Sequence, residues 1–270
     1  MVIKYVNSSG ESIFLNSYGI KLREADFFKR IWSPEKKDKK YELIKEPVEY
    51  KIILEIIGSD VVKREILNNL FKITERDAIS GSKGKLYVGE EYLKCTISES
   101  KSYPAESPIG VLQNLVAFSE DGIWTRECAI TIPTATDPEG DGLYYDYTYD
   151  YTYGDSGLSV TFENEHFAPC NFRLTAHGPF NALEFAINGN LYRINQSCIE
   201  GETLVLDTST RTIVKTDTYG NTWNVFGKQD FTLDNFKQIP AGENVLSYGR
   251  TYQIDLTLYE ERSEPKWSAW

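Results

Sequence analysis

The segment from Phe172 to Tyr248 constrains the fold of this chain more than any other part of the sequence. Short apolar runs in it are separated by turn signals at Gly178-Pro179, Asn188-Gly189, Gly201-Glu202 and Ile239–Asn244. Asn-Gly is a strong hairpin signal because both residues tolerate positive φ. Short apolar runs between tight turns favour strands over helices. The segment therefore predicts a C-terminal half built of short strands.

The N-terminal half carries one strong strand signal and one strong helix signal. Apolar residues alternate from Val48 to Ile56, which predicts a strand with one buried face. Ser59 is a suitable N-cap, and apolar residues then recur at helical spacing, which predicts a helix from about Asp60 to Thr74. Three further segments complete this half: a hairpin of Leu86–Val88 with Tyr92–Ile97, a polar loop from Ser98 to Pro108, and a strand from Val111 to Phe118.

A change of composition between Ala129 and Gly142 indicates a domain boundary. Proline and glycine are interspersed there with threonine and acidic residues. We predict two domains, residues 1–135 and residues 136–270.

Asp137, Glu139 and Asp141 match the start of a calcium loop, but position twelve is Thr148, so an acidic turn is the favoured interpretation. The following alternation of tyrosines with polar residues, 144–153, predicts a strand with one packed face.

Composition excludes several classes of protein. The net charge is -11, from 29 basic and 40 acidic residues, whereas a duplex-binding protein needs a basic face. No apolar run approaches the ~20 residues that cross a bilayer, and the N-terminus has no signal core, so we expect neither a membrane protein nor export by signal peptide. The four cysteines are scattered without metal-ligand spacing, so we expect reduced thiols and no metal or cofactor.

No arrangement of residues in the sequence indicates catalysis. His166 and His177 lack a recognisable nucleophile motif nearby. Glu163 and Glu165 share a strand face, but pairs of this kind arise by chance in a chain with 40 acidic residues. We therefore predict that the protein is not an enzyme.

Two aromatic residues are candidates for stacking on sugar rings. Trp223 and Tyr219 lie in the short segment Tyr219–Asn224, between apolar runs. Aromatic side chains in strands more often pack against the protein than against a ligand, so packing is the favoured interpretation of Trp223. The sugar-stacking alternative stays open.

The order of the turn signals from about Tyr145 to Trp267 resembles that of siphophage distal tail proteins. The N-terminal half, with its strand, helix, hairpin and strand leading to Trp124, is similar to the same family more loosely. The resemblance implies a mainly β fold with two domains. These are an N-terminal β-sandwich-like domain with one α-helix and a C-terminal galectin-like β-sandwich.

The resemblance also implies a structural role in the virion without catalysis. Proteins of this family form a hexameric ring at the tail tip, or baseplate. The ring joins the tail tube protein to the tail-tip hub protein and docks receptor-binding proteins. The expected partners are therefore further copies of the chain and these three tail proteins, and assembly would take place in the host cytoplasm. The alternative is a soluble carbohydrate-binding module or adhesin.

One segment is a candidate for the contact between subunits of such a ring. The basic cluster Lys36-Lys37-Asp38-Lys39-Lys40 follows Ser33-Pro34 and is interpreted as a solvated loop. The polar stretch from Ser33 to Lys45 precedes the firmest strand and could reach a neighbouring subunit. The candidate residues of this arm are Pro34, Lys36, Lys37, Lys39, Lys40 and Tyr41.

Overall fold

The chain folds into two compact units in the computed structural model, which describes residues 2–38, 40–104, 110–130, 132, 158–249 and 252–266. The first unit comprises the chain up to Arg126 and the chain from Glu261 onward, and the second comprises Glu127–Glu260. Strands make up most of the regular structure, and the described residues contain one α-helix. The predicted fold class is confirmed. The predicted boundary between residues 135 and 136 lies outside the described residues and stays a prediction.

In the first unit, six strands precede a single helix and the remaining strands follow it. In chain order its elements are β1 (Ile3–Val6), β2 (Ser12–Phe14), β3 (Ile20–Ala25), β4 (Trp32–Lys37), β5 (Lys40–Lys45), β6 (Val48–Ile57), α1 (Asp60–Ser80), β7 (Gly84–Val88), β8 (Glu91–Pro104), β9 (Gly110–Ser119) and the start of β10 (Trp124–Ile130).

Two antiparallel sheets of the first unit share one strand. The first sheet runs in the order β2, β1, β7, β8, β10, and the second in the order β3, β6, β9, β8. The first half of β8 pairs with β7, and the half from Thr96 to Pro104 pairs with β9. The strand passes from one sheet to the other between Cys95 and Thr96, and the register of its pairing with β9 shifts soon after, between Ile97 and Glu99.

The strand predicted between Val48 and Ile56 is confirmed as β6. Its alternate residues from Val48 to Ile56 are buried, and Glu49 and Lys51 on the opposite face are exposed. The buried face packs around Trp124, whose ring meets those of Phe27 and Tyr50 edge-on at centroid distances of 5.8 Å. The period-two pattern of β6 therefore reflects a core on one side of the sheet.

The helix begins where the sequence indicates and ends later. The Ser59 side chain accepts a hydrogen bond from the Val62 amide at 3.4 Å, which confirms the N-cap. The predicted end at Thr74 is wrong, because α1 continues to Ser80 and is terminated by Gly81 at φ 65°. The additional turn carries Asp77, whose buried carboxylate accepts hydrogen bonds from Tyr5 Oη and Ser8 Oγ, both at 2.6 Å.

The polar loop predicted from Ser98 to Pro108 is also partly wrong. Strand β8 continues through these polar residues to Pro104, and residues 105–109 lie outside the described chain. The side chains from Ser98 to Pro104 are exposed, so no hydrophobic pattern marks them as a strand. Their backbone pairing with β9 holds them in the sheet.

The second unit is a sandwich of two antiparallel sheets. One sheet has the order β17, β16, β15, β12, β19, and the other the order β11, β18, β13, β14. A single core lies between the sheets and includes the fully buried Phe172, Leu174, Leu206 and Ile213. In chain order the strands are β11 (Leu158–Asn164), β12 (Asn171–His177), β13 (Leu183–Ile187), β14 (Asn190–Ile194), β15 (Thr203–Asp207), β16 (Thr212–Thr216), β17 (Thr222–Asn224), β18 (Gly242–Tyr248) and β19 (Gln253–Arg262).

The hairpin predicted at Asn188-Gly189 is confirmed between β13 and β14. Both turn residues have positive φ, at 48° and 78°. The turn brings Phe185 opposite Tyr192, and their rings stack at a centroid distance of 4.6 Å. The predicted tyrosine strand, 144–153, and the acidic turn before it lie outside the described residues.

Candidate assembly surface

The segment from Ser33 to Lys45 forms most of a β-hairpin rather than the loop predicted from its lysines. Strands β4 and β5 pair from Trp32 opposite Lys45 to Lys37 opposite Lys40, and they form a separate two-stranded sheet. Asp38 takes the left-handed conformation, φ 55°, at the tip, while Lys39 lies outside the described residues. We call the hairpin Trp32–Lys45 the arm.

The arm has one largely apolar face. Directly opposed residues of an antiparallel pair share a face, so the register places Trp32, Pro34, Leu43 and Tyr41 together, along with Lys36 and Lys45. Tyr41 is 72% exposed and Leu43 is 65% exposed. The opposite face carries Ser33, Ile44, Glu35, Glu42, Lys37 and Lys40. The predicted arm residues Pro34, Lys36 and Tyr41 thus lie on the apolar face, and Lys37 and Lys40 lie on the other.

The base of the arm is fixed to the first unit by contacts of Lys45. Its Nζ donates a hydrogen bond to the Gly122 carbonyl at 3.4 Å and lies over the Trp32 ring, 5.6 Å from the centroid. Burial lowers the pKa of the Lys45 amine, because an ammonium ion loses hydration there. The Glu46 amide also donates to the Ile31 carbonyl at 3.4 Å. The arm therefore projects from an anchored base.

The chain that enters the arm is held by buried aromatic residues. Tyr50 Oη donates to the Lys29 carbonyl at 3.3 Å, and Trp124 Nε1 donates to Tyr50 Oη at 3.3 Å. Burial raises the pKa of Tyr50 to about 12, since the phenolate would be poorly solvated. These contacts link the start of the arm to the core of the first unit.

The second sheet of the first unit has open edges. Within the described residues, β3 pairs with β6 alone, and the half of β8 from Thr96 onward pairs with β9 alone. Edge strands present unpaired N–H and C=O groups that can pair with another chain. The first unit therefore offers two kinds of contact to a neighbour, the apolar face of the arm and the backbone of a sheet edge.

The two candidates for sugar stacking lie on one hairpin of the second unit. Trp223 lies on β17 opposite Lys215, whose amine forms an ion pair with Glu202 at 2.6 Å. Tyr219 lies in the turn of this hairpin, where Asp217 Oδ1 accepts hydrogen bonds from the amides of Tyr219 and Asn221. Both aromatic side chains are exposed. The two roles considered for Trp223, packing and ligand contact, stay predictions.

The sequence-based prediction of the arm did not include two of the four apolar residues on its apolar face. Trp32 and Leu43 were not among the predicted contacts, because the lysines dominate the composition of the segment. The alternation of Tyr41, Leu43 and Lys45 with Glu42 and Ile44 was the available signal. Both strands of the arm are short and mostly exposed, so this signal is weak.

Comparison with known proteins gives matches of structure but not of sequence. No protein-family model matches the chain, and no curated protein matches it. The part of the chain that the structure describes contains no candidate membrane-spanning helix.

Solved structures of phage hub and baseplate proteins are among those that match the chain. The Dit protein (gp 19.1) of phage SPP1, described as a hub of the adsorption apparatus in Gram-positive infecting phages, is similar with a TM-score of 0.58 and 10% identity, over 97% of this chain and 100% of that one. Chains of the phage P2 baseplate in its activated conformation with Ca and with Sr give TM-scores of 0.59 and 0.60, each at 11% identity over 98% of this chain and 99% of the other. The chain therefore has, over nearly its whole length, the fold of phage distal tail and baseplate hub proteins, as its sequence predicted.

Proposed function

We propose that the protein is a structural component of a phage tail tip, where copies of it form a hexameric ring. The observation that carries this proposal is the match of fold over 97% of the chain to a phage hub protein, both domains included. In this role the ring joins the tail tube to the tail-tip hub and docks receptor-binding proteins. The location in the virion and the absence of catalysis are parts of the same proposal.

The surfaces of the first unit support assembly into a ring. A ring of more than two subunits needs two different surfaces on each copy, because the contact is head-to-tail. The arm supplies one such surface, since it displays Tyr41 and Leu43 on a face that the rest of the described chain leaves exposed. The open edges at β3 and β8 supply backbone groups for the other surface. We propose that Pro34, Lys36, Lys37, Lys39, Lys40 and Tyr41 belong to the contact between subunits.

The charge of the chain is compatible with a channel through which DNA passes. Six copies with a net charge of -11 each would repel a nucleic acid rather than bind it.

The solution mass of the purified protein tests the proposal. We expect light scattering to give about six times the chain mass of 30.9 kDa at concentrations where the contacts are saturated. A monomer at every accessible concentration, with no rings in electron micrographs, would contradict a self-assembling ring.

A carbohydrate-binding module is the second candidate, and the exposure of Trp223 and Tyr219 on one hairpin favours it. It predicts binding on a glycan array that is lost on Trp223→Ala, from a protein that is monomeric or a small oligomer. Failure of every glycan to bind would exclude this candidate.

A further inference from the structure

The tip of the β13–β14 hairpin carries the single Asn-Gly pair of the sequence, Asn188-Gly189. In such a pair the backbone nitrogen of the glycine can attack the side-chain carboxamide carbon of the asparagine, because glycine has no side chain that hinders the approach. A succinimide ring closes through the new C–N bond, and the carboxamide nitrogen leaves as ammonia with the proton of the glycine amide. Water then opens the ring to aspartate, or to isoaspartate, in which the main chain runs through the side-chain carbon.

The conformation of the pair limits this reaction, because both residues are exposed to water. The Asn188 amide donates to the Val245 carbonyl at 3.0 Å, and the Val245 amide donates to Asn188 Oδ1 at 2.8 Å. The side-chain oxygen thus takes the place that a backbone carbonyl has in an antiparallel pair. Asn188 extends the pairing of β13 with β18 by one residue beyond the pair of Ile187 with Leu246.

The nitrogen of the same carboxamide is held by a buried asparagine. Asn188 Nδ2 donates to Asn244 Oδ1 at 2.7 Å, and Asn244 is fully buried. Asn244 Nδ2 in turn donates to the carbonyls of Gly242 at 2.7 Å and Pro240 at 3.0 Å. Asn244 cannot reverse its amide group without losing both of these bonds, so its oxygen must face a donor at position 188.

These bonds hold the carboxamide on the side of β18, away from the course of the turn. Strand β13 lies between β18 and β14 in the sheet, and Gly189 leads the chain toward β14. The Asn188 side chain must therefore leave Val245 and Asn244 before its carbon can swing onto the Gly189 nitrogen. A local opening of the hairpin tip is then required for the reaction, and its free energy sets how far the folded state slows it.

We propose that Asn188 is a site of spontaneous deamidation, that its bonds to β18 suppress the reaction in the folded protein, and that conversion disconnects the hairpin tip from β18. An aspartate would place an acceptor oxygen where Nδ2 now donates, and the buried Asn244 Oδ1 would lose its donor. An isoaspartate would lengthen the main chain inside a two-residue turn. This inference goes beyond the proposed function and does not depend on ring formation, because every residue in it belongs to the second unit.

Peptide mapping by mass spectrometry tests the site, since deamidation changes the mass of the tip peptide and isoaspartate changes its retention time. The full-length protein is incubated in mildly alkaline buffer, once in the native state and once unfolded in guanidinium chloride. We expect Asn188 to be the asparagine that converts fastest in the unfolded chain, and to convert more slowly in the native protein by about tenfold or more. Equal rates in the two states, or faster conversion of another asparagine in the unfolded chain, would overturn the proposal.

Two pairs of variants test the role of the bonds to β18. Asn244→Ala removes the acceptor of Asn188 Nδ2 and should speed conversion in the native protein, whereas Ile213→Val, which loosens the core of the same unit, should not. Asn188→Asp and Asn181→Asp add the same charge at exposed positions, which keeps the test decisive if Asn244→Ala does not fold. Asn188→Asp should have the lower thermal midpoint, by about 2–4 °C. Equal midpoints, or equal conversion rates in Asn244→Ala and Ile213→Val, would refute the role of these bonds.

Discussion

Truncating Leu43 should weaken the ring without destabilising the subunit. Burying a whole leucine side chain contributes about 1.5–3 kcal/mol. Since 65% of Leu43 is exposed in the free chain, its docking on a neighbour would contribute about 1–2 kcal/mol per contact. We therefore expect Leu43→Ala to raise the dissociation constant of each contact about 5- to 30-fold. Over the six contacts of a hexamer the loss is about 6–12 kcal/mol, assuming independent contacts.

The arm offers a matched control in the neighbouring residue. Ile44 lies on the opposite face of β5, across from Ser33, and is also exposed. Light scattering over a dilution series should show that Leu43→Ala dissociates at higher concentration than Ile44→Ala, with equal thermal midpoints of the dissociated chains. The assignment of the docking face is refuted if Ile44→Ala dissociates the ring as readily, or if neither variant changes the mass.

Three further predictions concern the first unit. A Cβ on Gly84 would clash with Tyr5 Oη and lie 2.5 Å from Asp77 Oδ2. Gly84→Ala should therefore lower the free energy of unfolding by about 1–3 kcal/mol in urea titrations, and an unchanged midpoint would contradict this. Burial raises the pKa of the Cys95 thiol to about 12, so mass mapping after iodoacetamide treatment of the native protein at pH 8.5 should find Cys95 unmodified, and its labelling without unfolding would contradict the buried position. The folded-state pKa of Tyr50 is raised from 10.0 to about 12, so its contribution to the free energy of unfolding is intact below pH 10 and is lost as the pH rises through about 12. In denaturation curves measured across this range, Tyr50→Phe should lose less stability at alkaline pH than the wild type does. An equal loss of stability in both proteins would contradict this prediction.

The sequence predicts best where the physical signal is local or where one face is buried. Ser59 and Asn188-Gly189 act through their own backbone geometry, so the helix start and the hairpin are confirmed. Strand β6 is confirmed because its alternate residues fill one core. The end of the helix depends on Asp77, whose partners Tyr5 and Ser8 lie far away in sequence. A local pattern cannot contain that contact.

The candidate assembly surface could be predicted in position but not in form. The polar stretch Ser33–Lys45 was predicted as an arm that could reach a neighbour, and this role stays a prediction, but its lysines suggested a loop where the structure has a hairpin. The hairpin is specified by cross-strand pairing. Its apolar face packs on no core within the described chain, so its sequence does not alternate strictly between apolar and polar residues. For the same reason the part of β8 from Ser98 to Pro104 was not predicted as a strand, because its exposed serines and charged residues follow no hydrophobic period.

The passage of β8 through both sheets of the first unit gives its backbone two regimes of hydrogen exchange. From Glu91 to Leu93 the strand has neighbours on both sides, β7 and β10, so its amides are bonded across one ladder or the other. From Thr96 onward β9 is the only neighbour among the described residues, and every second amide faces away from it. Those outward amides should exchange rapidly in the isolated chain and slow down only when another strand covers the edge. One continuous strand thus carries both an internal standard of full protection and a residue-level readout of edge pairing.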